Sequence, residues 1–418
     1  MTRETLVKRL EGLAPGAWEL YEKNAVSRET AAAVSERGEI DRREDGWSAR
    51  WWESGAARFA AASSLERLSS AIADGGALPA APGDPPEWPT AKSAPPEARG
   101  ELESPPAELF EELALLLAAE SRGEAILTEL SLRRGRVSER IANARGGDVR
   151  LATGRLDGVA LAVGRRGARA CEARVVFSAD GPLDLPGLAR RLADRATLPL
   201  SDHGAPFSRG EWLLDPSVGA AMLAGLAPLF VNEVPPPWVS RSHLASERVT
   251  IVDDAAADAA FDGEGVPTHR AVLVTEGRWR ARLHDLVSAK RSGARPSGHG
   301  VRSSYRTPPA ASPRRLFFET AAGVAPLDLL ASVKRGLFAA ALTAPVRIDL
   351  AADRFTVEFT GVAIVAGRAQ GPIAGARATG RLSELLRRIT AVATDRQFFP
   401  MPYPVGSPTL LVERCAFD

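Results

Sequence analysis

At 418 residues the chain has room for two domains and a large buried core. Charged residues make up 25% of it and balance to a net charge of +1, which argues against a protein built mainly to bind nucleic acid. Two distant cysteines, Cys171 and Cys415, argue against a disulfide framework or a Cys-based zinc site, and neither a leader-like nor a membrane-length apolar run is present, so a soluble cytoplasmic protein without a membrane partner is expected.

The first element is a short amphipathic helix, Glu4 to Glu11, with Leu6, Val7 and Leu10 on one face and Gly12 closing it. Trp18 to Glu22 and Thr30 to Ser35 read as strands. Gly46 to Glu53 alternates, Ser54-Gly55 turns, and Ala56 to Ala61 returns. Ser63 or Ser64 caps a helix from Leu65 to Ala73. Nine prolines then fall between Pro79 and Pro106, which no helix or sheet interior tolerates. This stretch reads either as an extended connection over the surface of the N-terminal domain or as a disordered linker.

Ser104-Pro105 starts a helix with Leu109, Phe110, Leu113, Leu116 and Leu117 inward, stopped at Ser121-Arg122-Gly123. Ala125 to Phe177 reads as several strands. The turn signals are Arg134-Gly135, Gly146-Gly147, Asp157-Gly158 and Arg166-Gly167. Asp184 caps a helix from Leu185 to Ala196. Helix, strands, helix, then helix, strands, helix predicts an N-terminal α/β domain of two similar layers over residues 1–200, without a repeat strong enough to mark a duplication and with the proline-rich connection 75–106 inside it. A loop-like boundary lies near Thr197 to Glu211.

Residues 201–418 predict a β-rich C-terminal domain, so the whole is α+β. Pro216 to Phe230 is an apolar helix, broken by Asn232 to Pro237. Val249 to Val252 is a strand. The turn Asp262-Gly263-Glu264-Gly265 leads into Ala271 to Val274; Glu276-Gly277 turns; Trp279, Ala281 and Leu283 alternate as a half-buried strand. Leu327 to Gly336 reads as a helix closed by its glycine. Val346 to Leu350, Phe355 to Thr360, Gly361 to Ala366 and Arg368 to Ile373 form a meander, followed by a helix, Leu382 to Ile389, and a last strand, Thr409 to Glu413.

Between the hairpin and Arg315 lies a loop with seven basic residues: Lys290, Arg291, Arg295, Arg302, Arg306, Arg314 and Arg315. It lacks the Lys-Ser/Thr ending of a P-loop, and its one aromatic, Tyr305, offers no interleaved stacking platform for nucleic acid. It reads as a solvated loop that pairs with acidic side chains, or as a groove wall for a peptide backbone or carboxylate; Arg295, His299, Arg302 and Tyr305 are the groove candidates. Asp262 and Glu264 form a carboxylate pair suited to fixing the turn by accepting backbone N–H bonds, with acid–base catalysis as the alternative. None of the five histidines pairs with another at helical spacing or stands near a cysteine, and there is no G-x-S-x-G elbow.

The wording FDxEGxPT, strand, turn, strand, SAxxxGxxPxGHG resembles the TldD/PmbA family of two-subunit metallopeptidases. The resemblance is strongest from Val249 to Tyr305, weaker from Leu327 onward and faint over Trp18 to Ile72. It implies a TldD/PmbA-like fold and directs attention to one helix. Catalytic subunits of the family carry H-E-x-x-x-H there, two imidazoles for zinc with a carboxylate general base between them. The matching helix here, Pro216 to Phe230, places Leu223, Ala224 and Pro228 near those positions, and Thr394 where the family has a cysteine ligand. The resemblance is therefore to the non-catalytic PmbA/TldE-type subunit. It implies no catalytic residue and no metal in this chain, zinc in a TldD-like partner, and unfolded peptides as substrate. Three alternatives stay open: a stand-alone peptide-binding or regulatory protein, of the kind for which relatives are called modulators of gyrase; a hydrolase with an unrecognised site; and a homodimer in place of a heterodimer.

Overall fold

The computed structural model describes residues 1–33, 37–75, 78–93, 106–179, 183–200, 207–240, 243–320 and 323–418. The N-terminal part holds helices α1 (Arg3–Leu13), α2 (Leu65–Ala73), α3 (Pro106–Glu120) and α4 (Leu185–Thr197). Its strands are β1 (Trp18–Ala33), β2 (Arg37–Glu53), β3 (Ala56–Ala62), β4 (Leu78–Pro82), β5 (Ala125–Asn143), β6 (Asp148–Arg166) and β7 (Arg169–Ala179). They make one sheet in the order β4-β3-β2-β1-β5-β6-β7. The strands expected in two layers thus share one sheet, because β1 pairs with β5, antiparallel over most of their length.

Register explains how this sheet is covered. Trp18 and Leu20 of β1 lie across from Trp51 and Ala49 of β2 and pack with α1 and α2. Leu130 and Leu132 of β5 share that face and pack under α3 and α4. Side chains alternate along a strand, so Glu19, Tyr21 and Lys23 point to the opposite face. All three are buried as well, so the second face is also covered at this end.

Several elements run further than the sequence pattern predicts. Trp18 to Glu22 and Thr30 to Ser35 are one strand through Ala33, because the polar residues between them pair on both sides, with β2 and β5. Arg134-Gly135 and Asp157-Gly158 are strand interior rather than turns. Asp157 is held there by Ser178 Oγ (2.6 Å) and Arg133 Nη2 (3.2 Å) across the sheet. Gly12 lies inside α1 and does not close it. Within the proline-rich stretch, β4 pairs with the first half of β3, Ala56 to Phe59, as an edge strand, where a missing N–H is tolerated. Residues 83–93 follow as extended chain against the sheet: Trp88 is buried, Asn143 Nδ2 donates to Pro89 O (2.8 Å), and Ser93 and Arg150 bond to each other. The cap at Ser104-Pro105 lies outside the described residues.

The C-terminal part continues with β8 (Arg209–Leu214), α5 (Pro216–Leu226), β9 (Ile251–Asp254), β10 (Arg270–Thr275), β11 (Arg278–Trp279), α6 (Leu286–Ser292), β12 (Gly300–Val301), β13 (Ala310–Ala311) and β14 (Leu316–Phe318). Beyond these come α7 (Pro326–Ser332), β15 (Arg335–Leu342), β16 (Arg347–Asp349), β17 (Arg354–Val365), β18 (Arg368–Arg381), α8 (Leu382–Arg387), β19 (Ile389–Val392), β20 (Gln397–Pro400), β21 (Pro404–Ser407) and β22 (Leu410–Ala416). One sheet has the order β11-β10-β9-β14-β21-β20. The other runs β16-β17-β15-β8-β22-β19, with β18 on β17. Trp212, Leu223, Phe230, Phe318 and Phe359 are buried in one core with residues of both sheets.

Here too some boundaries move. The helix expected to end at Gly336 ends at Ser332; Gly336 instead pairs with Glu211 of β8 in a parallel ladder. Residues 354–365 form a single strand, where Gly361 reads as a break. Trp279 ends a two-residue strand, and Leu283, fully buried, is held by its N–H to Phe230 O (2.8 Å) rather than by a ladder. Pro216 to Phe230 is α-helical to Leu226 and then a 3₁₀ turn.

Candidate functional site

The stretch from Asp262 to Tyr305 folds into a buried knot. Asp262 Oδ1 accepts the N–H groups of Glu264 (2.9 Å) and Val266 (3.0 Å), and its Oδ2 accepts that of Gly300 (2.8 Å). One carboxylate thus closes the turn and ties it to the distant GHG segment. Glu264 faces two ways: Oε1 accepts from Arg50 Nη2 (2.6 Å), and Oε2 accepts the first N–H of α6, at Leu286 (2.7 Å). Gly300 packs so closely that a Cβ would stand 2.4 Å from Glu264 Oε2.

Both carboxyls are buried, and burial raises both pKa values. For Glu264, burial outweighs the attraction of Arg50, and the Asp262 and Asp285 carboxylates add to it, so its pKa is pushed up to about 7.

This knot covers the second face of the N-terminal sheet. Arg302 Nε donates to Gly263 O (2.8 Å), its guanidinium lies 4.4 Å from the Tyr21 ring centroid, and its Nη2 pairs with Glu19. Glu19 also receives Arg50 Nη2 (3.2 Å), so Glu19, Arg50, Glu264 and Arg302 form one charge-alternating network across the seam. Tyr305 packs on Tyr21, Ile141, Val149 and Leu151. Gly46 of β2 makes room for it, since a Cβ there would meet the Tyr305 ring at 2.5 Å. Lys23 Nζ caps Ser303 O (3.1 Å).

His299 is fully buried between Asp253 and Ser297. Its Nε2 lies 3.0 Å from Asp253 Oδ1, and its Nδ1 lies 2.6 Å from Ser297 O and 3.1 Å from Ser297 Oγ. Ser, His and Asp are thus adjacent, but Ser297 Oγ donates to His284 O (3.0 Å) and accepts from His284 N (2.6 Å). Asp253 also accepts the N–H groups of Arg314 and Arg315. These groups are committed to holding the loop, and the serine presents no free hydroxyl to a substrate.

Helix α5 starts at the cap Asp215, whose Oδ1 accepts the N–H of Ser217 (2.8 Å). Leu223 faces the core with no exposure, Ala224 is half-buried and Pro228 is exposed. Thr394 is exposed, with its N–H on Val324 O (3.0 Å). These four side chains offer one hydroxyl and no imidazole, carboxylate or thiolate, so they do not fit a zinc site. Among the described residues no group of three or more His, Cys, Asp or Glu side chains is gathered as a metal would require.

Residues 240–418 match the family model described as the PmbA/TldA metallopeptidase C-terminal domain. A metalloprotease TldD homologue of Haemophilus influenzae is 27% identical over 189 residues, covering 41% of this chain and 39% of that protein. The C-terminal part of the chain, residues 240–418, belongs with the TldD/PmbA family. The match therefore spans about two fifths of the length of the curated TldD homologues. Over the whole chain the fold is similar to the crystal structure of TldE from Thermococcus kodakarensis, with a TM-score of 0.83, 18% identity and 99% of each chain covered. It is also similar to a Thermotoga maritima structure whose proposed role is modulation of a DNA gyrase, with a TM-score of 0.80, 17% identity and 100% of each chain covered.

The family wording at Asp262–Glu264 and Gly298–Tyr305 thus lies in the matched domain and supplies its half of the knot. Of the groove candidates, only Arg295 is exposed. His299, Arg302 and Tyr305 are buried; His299 and Arg302 use their polar atoms inside the chain, while Tyr305 packs its ring on the N-terminal sheet and borders a cavity with Arg306. Arg314 likewise makes a two-pronged pair with Asp258 (3.1 and 2.7 Å). The N-terminal half of the knot, Glu19, Tyr21 and Arg50, is absent from the sequence-derived candidates. Its signal was present: ionic residues alternate with Trp18, Leu20 and Trp51 on strands whose both faces are buried.

Proposed function

We propose that this chain is the metal-free, TldE/PmbA-like member of a two-subunit cytoplasmic peptidase, paired with a TldD-like subunit that carries the zinc and acting on unfolded or small peptides, peptide maturation included. One observation carries the reading: the helix and loop positions where catalytic members hold metal present Leu223, Ala224, Pro228 and Thr394 here. Metal hydrolysis needs ligands that leave one coordination position open for water, and a nearby base. A buried leucine and an exposed proline supply neither, so no zinc step is derived through these residues.

A subunit of this kind contributes shape. It closes a chamber around the partner's metal, excludes folded substrates and holds an extended peptide along a sheet edge, a mode that tolerates many sequences. The exposed Arg295 is a basic-loop residue free to meet a peptide. A stand-alone regulatory role, by analogy with the proposed gyrase modulator of Thermotoga maritima, is the competing reading. Co-purification separates them: the reading expects this chain to bring down an H-E-x-x-x-H homologue from its own cells. A chain that elutes without such a homologue, at native expression, speaks for the competing role.

A further inference from the structure

Strand β3 outlasts its outer partner. On one side it pairs with β2 as far as Ala62; on the other, β4 reaches only to Phe59. Register places Phe59 across from Arg50 and Ala61 across from Ser48, on the face that meets the knot. A cavity of about 490 Å³ opens there, lined by Phe59, Ala61, Ser63, Arg67, Tyr305 and Arg306.

The floor of this cavity is apolar and its rim is cationic. Arg67 stands in the first turn of α2. Arg306 Nε donates to Tyr305 Oη (3.0 Å), with the guanidinium 5.2 Å from the ring centroid. Both arginines are exposed, and among the described residues neither forms an ion pair with a carboxylate. Glu44, the acid whose charge acts on Arg306, is already paired with Lys23 Nζ at 2.9 Å and bonded by Ser304. A net positive rim and an apolar floor thus meet in one place. A small inorganic anion would leave the floor empty. The last residue of an extended peptide fills both: side chain on Phe59 and Ala61, carboxylate on the guanidinium forks.

We propose that this cavity binds the C-terminal residue of an unfolded peptide, through its free carboxylate at Arg67 and Arg306. The proposal rests on the peptide-handling reading above and names the end of the peptide that this chain holds.

The test uses the isolated full-length chain and N-terminally labelled hexapeptides ending in leucine, as free acid and as amide, followed by fluorescence anisotropy at low salt. The free acid should bind about tenfold more tightly than the amide, the gain expected of a charge-assisted bond. Added salt should weaken the acid more than the amide. Arg67→Ala and Arg306→Ala should each remove most of the preference without moving the melting midpoint, since both side chains are exposed. Arg67→Ala leaves Tyr305 untouched and so guards against a local effect of the Arg306 change. Equal affinity of acid and amide, an acid preference that survives in the double variant, or no binding of either peptide would overturn the proposal. None of these outcomes depends on a partner subunit, so the two-subunit reading stands or falls on its own cleavage assay.

Discussion

Arg302 and Glu19 lie 283 residues apart in the chain, yet they form an ion pair in which each side chain is only 1% exposed. The pair joins the family wording of the C-terminal part to the first strand of the N-terminal sheet. Removing one partner from a buried pair leaves the other charged and unsolvated. Arg302→Ala and Glu19→Ala should each cost about 3–5 kcal/mol, and the double variant should cost clearly less than their sum. Urea midpoints of the four proteins decide it; additive losses would show that the two residues act separately.

Glu264 makes stability depend on pH with a defined sign. Its folded pKa, about 7, stands above the unfolded value of 4.5. Between those values the folded chain keeps a proton that the unfolded chain has released. This group's contribution is therefore complete below about 4.5 and is lost as pH rises through about 7. Glu264→Gln, which cannot ionise, should flatten the decline in unfolding free energy between about pH 5 and about pH 7. Parallel curves for the two proteins would place the titration elsewhere.

Leu223 is a packing residue of helix α5. It is fully buried in the C-terminal core. Leu223→Ala should cost about 2–5 kcal/mol, readable as a lower melting midpoint. An unchanged midpoint would contradict the burial of that helix face. The same packing predicts less than stoichiometric zinc after extensive dialysis, checked by metal analysis. One tightly held zinc per chain would contradict it.

Arg295 is, with Arg306, a basic-loop side chain left for a peptide, because Arg302 and Arg314 are engaged inside the chain. Arg295→Ala should leave melting and assembly unchanged and weaken peptide cleavage by the assembled subunits. Loss of assembly would instead make Arg295 an interface residue.

Much of this arrangement was legible before the fold was known, because local chemistry wrote it. Asp262 sits beside Gly263 in a turn with two glycines, and its carboxylate does bond to backbone N–H groups there. The amphipathic helices α2, α3 and α4 follow their apolar spacing. What was hidden was long-range. Strand pairing on both sides carries β1 through a polar middle that reads as a break. Glycines such as Gly135 and Gly361 read as turns because one strand's sequence says nothing about its neighbours. The basic loop reads as solvated or as a groove, because the carboxylate that engages Arg302 stands at position 19. Arginines buried across a seam and arginines facing solvent look the same until the seam is known.

The central claim is that this chain acts through a zinc-bearing partner. It is tested most directly by measuring degradation of an unstructured peptide by this chain, by its H-E-x-x-x-H homologue and by the two mixed, with complex formation followed by size exclusion. The account predicts no cleavage by this chain alone, a stable complex, and cleavage by the mixture well above that of the zinc-bearing subunit. Equal activity of the zinc-bearing subunit with and without this chain, or cleavage by this chain alone that survives a chelator, would contradict it.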